Sequence, residues 1–453
     1  MKSRKNILIS LICMIGISFV LLSGCSNQKE PIVKSDHYQT KTPLTMVGFV
    51  DEVSKKELKI HNEKKERFTY LLNKTKINNC DHLTKGDHVK IRYVENKIKN
   101  KKGKAIEIWL INPTEIVDQA QAILNGMSLE EKVGQMFFVR TPLGSGASDA
   151  AKYQLGGYIL FDRDVRPYDK AGLSNQLQTY QNNSKVKMLI GIDEEGGTVN
   201  RLSRYLAYRG APFLSPQALF AQGGMDLILS DVKEKAELLN SLGINVNLAP
   251  VSDVSINPND FIYARAFGKD ADQTADYIGK VVNTMNENHI GSVLKHFPGY
   301  GNNVDTHTGI AYDKRPYDNF LANDFKPFEA GFNARAQAVL VAHNIVDCMD
   351  PNFPASLSKN VHDILRNTLH FRGVIMTDDL DMEAIKDFIG TSSPAVFAIK
   401  AGNDLVMCSD YANQIPSVLA AIQNNEISEQ QINESVHRIL TWKLNINIIQ
   451  GGN

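Results

Sequence analysis

Residues 295–309 read KHFPGYGNNVDTHTG and gather side chains that can hold or transfer protons. Two histidines, an aspartate and a lysine share this segment with residues that bend the chain, Pro298, Gly299, Gly301 and Gly309. A packed core does not need that mixture of side chains. The segment is therefore a candidate catalytic loop or metal site, with an ordinary polar turn as the structural alternative.

Further polar residues stand at the carboxyl ends of short apolar runs. They are Asp193 after LIGI, Asp253 after NLAPVS, Lys295 and His296 after SVL, His343 after AVLVA, and Asp378 after GVIMT. The carboxyl ends of the strands in a closed parallel barrel all open on one face, where the active sites of such barrels lie. If these runs are strands of one barrel, we expect the polar side chains to converge.

The sequence signatures of several other chemistries are absent. The zinc motif HExxH, the serine motif GxSxG, and the phosphate-binding patterns GxxxxGK and GxGxxG do not occur. Asp305 and His307 offer two metal ligands, but no clear third ligand stands at close spacing, and we expect neither metal nor cofactor. Carboxylate and imidazole chemistry remains. A strand-end aspartate that faces a proton donor across a pocket is the arrangement that a retaining glycosidase needs.

Eight apolar runs must position these residues. They are VGQMFFV (133–139), GGYILF (156–161), KMLIGID (187–193), INVNLAPV (244–251), SVLKHF (292–297), QAVLVAH (337–343), GVIMTD (373–378) and DLVMCS (404–409). Helical patterns lie between most of them, for example at 227–242, 270–289, 358–369 and 381–400. Such alternation predicts a parallel sheet buried on both faces. Within residues 114–447 it favours an α/β fold with a (β/α)8 TIM-like barrel, and an open doubly wound sheet is the alternative.

Residues 42–113 have a different texture and predict a small all-β domain. The β-prone runs MVGFV, LKI, FTYLL, HVKIRYV and AIEIWLI are separated by polar turns, which suggests a small OB-like barrel. This region carries 16 Lys and Arg against 9 Asp and Glu. An anionic wall polymer or an anionic membrane surface is one partner that such a charge fits. The alternative is that the lysines only keep exposed strand edges from pairing.

The first 25 residues predict a lipoprotein signal peptide. Lys2, Arg4 and Lys5 precede an apolar run from residue 7 to 22, which is shorter than a membrane-spanning helix requires. The run ends in LSGC, which resembles a lipobox with Cys25 as the lipidated residue. Polar residues 26–41 then read as a flexible tether. We therefore expect an extracytoplasmic protein anchored to the cell membrane.

The overall composition excludes few classes of function. The 453 residues carry 50 Lys and Arg against 50 Asp and Glu, so the net charge is zero and gives no indication of a nucleic-acid partner. Besides Cys25 and the cysteine within the signal peptide, Cys80, Cys348 and Cys408 show no paired spacing. We expect no disulfides, and Cys408 is expected in the core.

Several segments occur in one order along the chain: IDEEGGTVNRL (192–202), NLAPVSDV (247–254), YARAFG (263–268), KHFPGYG (295–301), DTH (305–307), PASLS (354–358), FRGVIMTDDLDM (371–382) and AGNDLVM (401–407). Together they resemble glycoside hydrolase family 3, and specifically its β-N-acetylhexosaminidase branch. The resemblance covers roughly residues 115–445 and leaves the amino-terminal β-region outside.

The resemblance implies roles for individual residues. Asp378 matches the nucleophile that forms a covalent glycosyl-enzyme, and His307 matches the general acid/base, with Asp305 as its dyad partner. An aspartate two residues from a histidine in an extended loop can accept the second ring N–H and orient the imidazole. The matches for substrate contacts are Asp193, Arg201, Arg265, Lys295 and His296. Tyr263 and Tyr300 offer rings for stacking on a sugar, although Tyr300 stands where the family pattern has histidine.

These matches lead us to expect a retaining exo-β-N-acetylglucosaminidase that removes terminal β-linked GlcNAc, with peptidoglycan fragments as a candidate source. A β-glucosidase or β-xylosidase and a GlcNAc phosphorylase on the same fold are the nearest alternatives. A non-catalytic wall-binding lipoprotein that kept the fold is a third.

Overall fold

The computed structural model describes residues 42–95, 102–303, 311–382, 385, 388–390 and 393–450. The predicted signal peptide, the tether and the proposed dyad of Asp305 and His307 lie outside the described residues. Among the helices in the described ranges, none combines the length and apolar character that crossing a bilayer requires.

The amino-terminal part of the described chain folds into a closed five-stranded barrel. Its strands are β1 (Leu44–Val53), β2 (Glu57–His61), β3 (Arg67–Asn78), β4 (His88–Glu95) and β5 (Lys102–Asn112). They pair in the order β1-β2-β3-β5-β4, and β4 closes the barrel on β1. Each predicted β-prone run lies within one of these strands. Alternate side chains such as Leu58 and Ile60 in β2 point into the core, so the barrel has its own hydrophobic centre.

The strands in the rest of the described chain form a second, larger barrel with short accessory ribbons. They are β6 (Phe137–Arg140), β7 (Gly157–Leu160), β8 (Leu189–Ile192), β9 (Glu194–Gly196), β10 (Val199–Asn200), β11 (Val246–Asn247), β12 (Gly291–Phe297), β13 (Tyr312–Asp313), β14 (Ala338–Val341), β15 (Ile345–Val346), β16 (Val374–Asp379) and β17 (Leu405–Cys408). The barrel is closed in the order β6-β7-β8-β11-β12-β14-β16-β17, with every pair parallel. This confirms the predicted parallel barrel and excludes the open sheet.

Helices surround the larger barrel. They are α1 (Thr114–Asn125), α2 (Leu129–Gln135), α3 (Gly146–Tyr153), α4 (Asp162–Val165), α5 (Lys170–Asn182), α6 (Pro216–Leu242), α7 (Ala271–Glu287), α8 (Tyr317–Asn319), α9 (Phe325–Asn333), α10 (Lys359–Asp363), α11 (Pro394–Ala401), α12 (Tyr411–Gln423) and α13 (Glu429–Asn445). Two π-helical turns, Phe320–Asp324 and Ile364–Thr368, extend α8 and α10, and Ala355–Leu357 is a 3-10 turn. With helices outside, strands such as β12 are buried on both faces, which explains their continuous apolar character.

Two predicted strands differ from the structure. The run at 133–139 is helical in its first part, because Ser128 and Glu131 form a capping box that starts α2; only Phe137–Arg140 is a strand. The run at 244–251 pairs as a strand only over Val246–Asn247, and Pro250 near its end has no N–H for a ladder hydrogen bond.

The predicted helices also differ in extent. The helix predicted at 227–242 begins earlier, at Pro216, with a break at Gly223 and Gly224. Of the helix predicted at 381–400, residues 381–382 form a turn, the described residues 385, 388 and 389 are helical, and α11 follows the capping residue Ser393. Cys408 is buried in the core as expected.

Candidate active site

A cavity of about 160 Å³ opens at the carboxyl ends of the larger barrel's strands. Six of the predicted site residues line it: Asp193, Arg201, Arg265, Lys295, His296 and Asp378. They follow or end different strands, so the chain brings them together only because the barrel closes. Phe161, Met382 and Met407 add an apolar wall. A cavity with one apolar side and convergent polar groups is typical of a small-ligand site.

Lys295 lies at the centre of the polar wall and is almost completely buried. Its Nζ is 2.6 Å from Asp193 Oδ1 and 2.6 Å from Glu195 Oε1. Burial alone would lower the pKa of Lys295, but the charges of Asp193 and Glu195 outweigh it and raise that pKa. The ammonium is therefore held in its charged form and fixes both carboxylates.

Glu195 is a site residue that the sequence reasoning missed. Its carboxylate also receives two bonds from Arg265, at 2.8 Å from Nη2 and 3.0 Å from Nε. Burial would raise the pKa of Glu195, but Lys295 and Arg265 hold it well below its usual range. Glu195 stands two residues after Asp193, so on an extended segment both side chains point the same way. That spacing was the signal available in the sequence.

His296 is oriented by a buried aspartate beneath the cavity. Asp253 Oδ2 accepts from the ring Nδ1 at 2.8 Å and from the backbone N–H of His296 at 3.1 Å. On the other side, Arg265 Nη2 lies 3.1 Å from His296 Nε2. A carboxylate only accepts and a guanidinium only donates, so these partners fix the tautomer with the proton on Nδ1. Asp253, singled out at a strand end, thus lies behind His296 rather than in the cavity wall.

Asp378 and Asp379 end strand β16 at the opposite wall. Asp378 is partly exposed to the cavity, and its Oδ1 accepts from the backbone N–H of Asp379 at 2.8 Å. Asp379 is buried and pairs with Arg140, whose Nη2 is 2.6 Å from Asp379 Oδ2. Burial raises the pKa of Asp379, and the Asp381 backbone N–H and Arg140 oppose that shift. Neither Arg140 nor Asp379 was identified from the sequence as a site residue.

Arg201 reaches the cavity beside Phe161, with its guanidinium carbon 5.9 Å from the ring centre. Arg140 lies over the same ring at 4.6 Å. The Nε of Arg201 is buried and has no acceptor among the residues that the structure describes. A polar ligand in the cavity could accept from this N–H, which would otherwise remain unsatisfied.

Two expectations about other polar residues are wrong. His343 does not line the cavity; it is fully buried, with Nδ1 2.7 Å from Ser356 Oγ and Nε2 3.0 Å from Asp379 O. Tyr300 is also buried, and its ring packs on that of His296 with centres 5.1 Å apart. Tyr300 therefore offers no face to a ligand, and Tyr263 is not among the residues that line the cavity.

The described residues that line the cavity balance their charges. Four cationic side chains, Arg140, Arg201, Arg265 and Lys295, face four carboxylates, Asp193, Glu195, Asp378 and Asp379. Such a wall offers many donors and acceptors without a net field, which suits a neutral polyhydroxylated ligand. In the described part of the chain, no cluster of three or more His, Cys, Asp or Glu side chains is arranged to hold a metal ion.

Comparison with known proteins agrees with the sequence pattern. Residues 128–442 match the family model described as the glycosyl hydrolase family 3 N terminal domain. A Beta-hexosaminidase A of Pseudoalteromonas piscicida is 30% identical over 322 residues, which are 65% of this chain and 54% of the relative. The Beta-hexosaminidase LpqI of Mycobacterium tuberculosis is 28% identical over 337 residues, covering 70% of this chain and 83% of the relative.

Solved structures show the same relationship. A glycoside hydrolase family 3 beta-N-acetylglucosaminidase from Paenibacillus sp. str. FPU-7 superposes with a TM-score of 0.66 at 29% identity, over 72% of this chain and 64% of that one. The structure of M tuberculosis LpqI gives a TM-score of 0.66 at 25% identity, over 72% of this chain and 96% of that one. The chain thus spans about half of one relative's length and most of another's. Its matched region, its closed parallel barrel and its ordered motifs place it in glycosyl hydrolase family 3.

Proposed function

We propose that this chain is a retaining exo-β-N-acetylglucosaminidase. One observation carries the proposal: six residues matched to the family's nucleophile and sugar contacts surround one cavity at the carboxyl end of the barrel. The relatives named as beta-hexosaminidases and the beta-N-acetylglucosaminidase structure support the same activity.

Asp378 is the proposed nucleophile. It is partly exposed to the cavity, whereas Asp379 is buried and committed to Arg140. In the first step, a carboxylate oxygen of Asp378 attacks the anomeric carbon, and the bond to the leaving oxygen breaks. In the second step, water attacks the same carbon and releases Asp378, so two inversions give net retention.

The proposed proton carrier is His307, with Asp305 as its partner; both lie outside the described residues. An imidazole can protonate the leaving oxygen in the first step and then remove a proton from the attacking water in the second. Asp305 would accept the second ring N–H and stabilise the imidazolium. The proposal for this pair rests on the sequence motif DTH alone.

The sugar-binding role falls to the opposite wall of the cavity. Asp193 accepts from Lys295 and keeps part of its carboxylate exposed, so it can also accept from a sugar hydroxyl. Arg201, Arg265, Lys295 and His296 supply the remaining polar contacts. Because Glu195 holds both Lys295 and Arg265, these side chains are fixed before a ligand arrives.

The cellular setting is also part of the proposal. We infer a lipoprotein anchored through Cys25 outside the cytoplasmic membrane, with an OB-like barrel at 42–113 and peptidoglycan fragments as the source of GlcNAc. The proposal for this anchor depends on the LSGC motif. Expression of the chain with Cys25→Ser in a bacterial host tests it, because the variant should lose a covalently bound lipid by mass spectrometry. A mature protein without lipid in the unchanged chain would contradict it.

The activity is tested with nitrophenyl glycosides of GlcNAc, glucose and xylose. We expect turnover of the GlcNAc substrate to exceed the others, with a rate that does not depend on phosphate. The first sugar product should keep the β configuration by NMR. A rate that requires phosphate would instead indicate a phosphorylase, preference for glucose or xylose a different glycosidase, and no turnover of any substrate a binding protein.

A further inference from the structure

A second cavity, of about 270 Å³, lies at the opposite end of the larger barrel. Gln337 and Gly373, which immediately precede β14 and β16, line one side of it. Lys90 of β4 and Trp109 of β5 line the other side. The cavity is therefore built jointly by the two barrels and is separated from the candidate active site by the length of the strands.

The lining of this second cavity contains no carboxylate. All of its lining residues belong to the described chain, and none is Asp or Glu. Four cations face it instead: Lys90, Arg335, Arg372 and Arg438. The described lining of the active-site cavity balances its charges, so the contrast indicates that the two cavities suit ligands of different charge.

These cations are only partly compensated by carboxylates behind them. Arg438 Nη1 is 2.9 Å from Asp404, a carboxylate that also pairs with Arg366, and Arg438 Nη2 is 3.7 Å from the exposed Glu434. Arg372 Nε is 3.3 Å from Glu63, which is largely exposed. Arg438 and Arg366 thus share the negative charge of Asp404. Arg372 relies on a carboxylate at the surface, where water weakens the attraction.

Lys90 and Arg335 form no ion pair with a carboxylate among the described residues, although the charges of Glu329 and Glu107 act on Lys90. Lys90 donates to the side-chain oxygen of Asn333. Arg335 reaches Asn445 Oδ1 at 3.5 Å, and no carboxylate of the described residues forms an ion pair with it. Burial lowers the pKa of Arg335 and lowers that of Lys90 to about 8. Burial is the main cause of both shifts, and the charges of Glu329 and Glu107 oppose it only in part at Lys90.

The cavity also presents hydrogen-bond donors without partners. The Nε1 of Trp442 and the Oγ1 of Thr441 are buried and have no hydrogen-bond partner among the described residues. Both residues line the cavity, and Trp442 is only 2% exposed. Buried donors of this kind are normally satisfied by water or by a ligand. The Trp442 indole and the guanidinium groups belong to side chains that line this cavity.

We propose that this cavity binds a small ligand that carries an oxyanion, a sugar phosphate or a sugar carboxylate. The oxyanion would accept from the guanidinium groups, which suit phosphate and carboxylate oxygens. Apolar surface for the rest of the ligand comes from the aromatic part of the lining, where Lys90 lies over the Trp109 ring and Phe371 stacks on Phe332. The volume equals roughly nine waters of liquid, which fits one charged monosaccharide. The site lies at the barrel junction and does not depend on the proposed activity at the other end.

Calorimetric titration of the full chain tests this proposal with four probes: inorganic phosphate, glucose 6-phosphate, glucuronate and glucose. We expect saturable binding of at least one sugar anion, with glucose much weaker. Preference for glucose 6-phosphate would identify a phosphate ligand, and preference for glucuronate a carboxylate ligand. No saturable binding of any anion, or glucose binding as tightly as the anions, would overturn the proposal.

Two variants locate the binding. Arg335→Gln in the larger barrel and Lys90→Gln in the small barrel should each weaken the preferred anion about tenfold, the scale of one charge-assisted hydrogen bond. Lys326→Gln is the matched control, because Lys326 lies on α9 and pairs with Asp272 outside the cavity. Equal weakening in the control would mean general charge attraction and would contradict the site. Since the two test positions lie on different barrels, either one that folds is sufficient.

Discussion

Lys295 and Glu195 form a buried ion pair with their charged atoms 2.6 Å apart. Both side chains are at least 95% buried, so the pair is screened little by water. Each partner has a second contact, Lys295 to Asp193 and Glu195 to Arg265. The four charges form one network, and removing one of them leaves buried charge without compensation.

Glu195→Gln should therefore lower the free energy of unfolding by about 3–5 kcal/mol at pH 7. The folded-state pKa of Glu195 lies well below its unfolded value, so its contribution is present above about pH 4.3. That contribution is lost as pH falls toward the folded-state pKa. Urea denaturation should show a difference between variant and parent that is constant near neutral pH and shrinks in acid.

Glu234→Gln serves as the control for this change. Glu234 pairs with Arg209 at the surface, and its side chain is 55% exposed. Loss of an exposed pair should cost no more than about 1 kcal/mol. Similar losses for the two variants would show that the Lys295–Glu195 network does not have the stabilising role inferred from its burial.

Asp378→Ala should reduce hydrolysis of a nitrophenyl GlcNAc substrate on the order of 10³-fold or more, because the covalent step is lost. Azide tests the assignment specifically, since a small anion can occupy the space of the missing carboxylate and attack the anomeric carbon. The product should then be a glycosyl azide of α configuration, detected by NMR. Parent-like rates in the folded variant would exclude Asp378 as the nucleophile.

Asp379→Ala distinguishes the two neighbouring carboxylates. It breaks the pair with Arg140 but leaves Asp378 in place. We expect a weaker enzyme that still forms the β product and is not rescued by azide. If azide instead restored turnover in Asp379→Ala and not in Asp378→Ala, the nucleophile would be Asp379.

The sequence predicted the barrel because eight buried apolar runs alternate with helices, and that pattern is local. It also located Asp193, Lys295 and Asp378, because each stands where an apolar run ends. The sequence did not show which distant positions would pair. Arg140 and Asp379 are 239 residues apart and meet only when β17 joins β6 and closes the barrel.

The direction of a strand-end side chain was likewise not predictable. His343 and Lys295 both follow apolar runs, yet His343 points into packed structure and Lys295 into the cavity. A one-residue difference in register reverses the face of a strand residue. Apolar runs do not determine that register near their ends, where β12 itself pairs irregularly with β14 after Leu294.

His307→Ala should affect substrates according to their leaving groups. A nitrophenolate departs without much protonation, whereas the alcohol released from a GlcNAc disaccharide needs an acid. We expect the loss in kcat/KM to be about 10²-fold or more larger for the disaccharide than for the nitrophenyl substrate. Equal losses on both substrates would contradict the role of His307 as acid. Asp305→Asn should show the same pattern with a smaller loss, since it retains the imidazole but not its charged partner.

Lys443 should make the stability of the folded protein depend on pH. It is completely buried on α13, where its Nζ donates to Gln135 Oε1 at 2.6 Å. Burial lowers the pKa of Lys443 to about 7. Between pH 7 and the unfolded-state value of about 10.4, the unfolded chain binds the extra proton, so stability should rise with pH. Thermal denaturation at several pH values in this window measures the rise, with a limit of about 1.4 kcal/mol per pH unit for one group.

Lys443→Met removes that titration. The variant loses one hydrogen bond to Gln135, which offsets part of the gain from removing a buried charge. The slope of the free energy of unfolding against pH therefore reports the titration of Lys443 better than the stability at a single pH does. We expect the rise in stability between pH 7 and 10 to flatten in Lys443→Met. It should persist in the control Lys359→Met, because the Lys359 side chain is 70% exposed. An unchanged slope in Lys443→Met would mean that Lys443 is not the group that titrates, because no other change in that variant affects proton binding in this window.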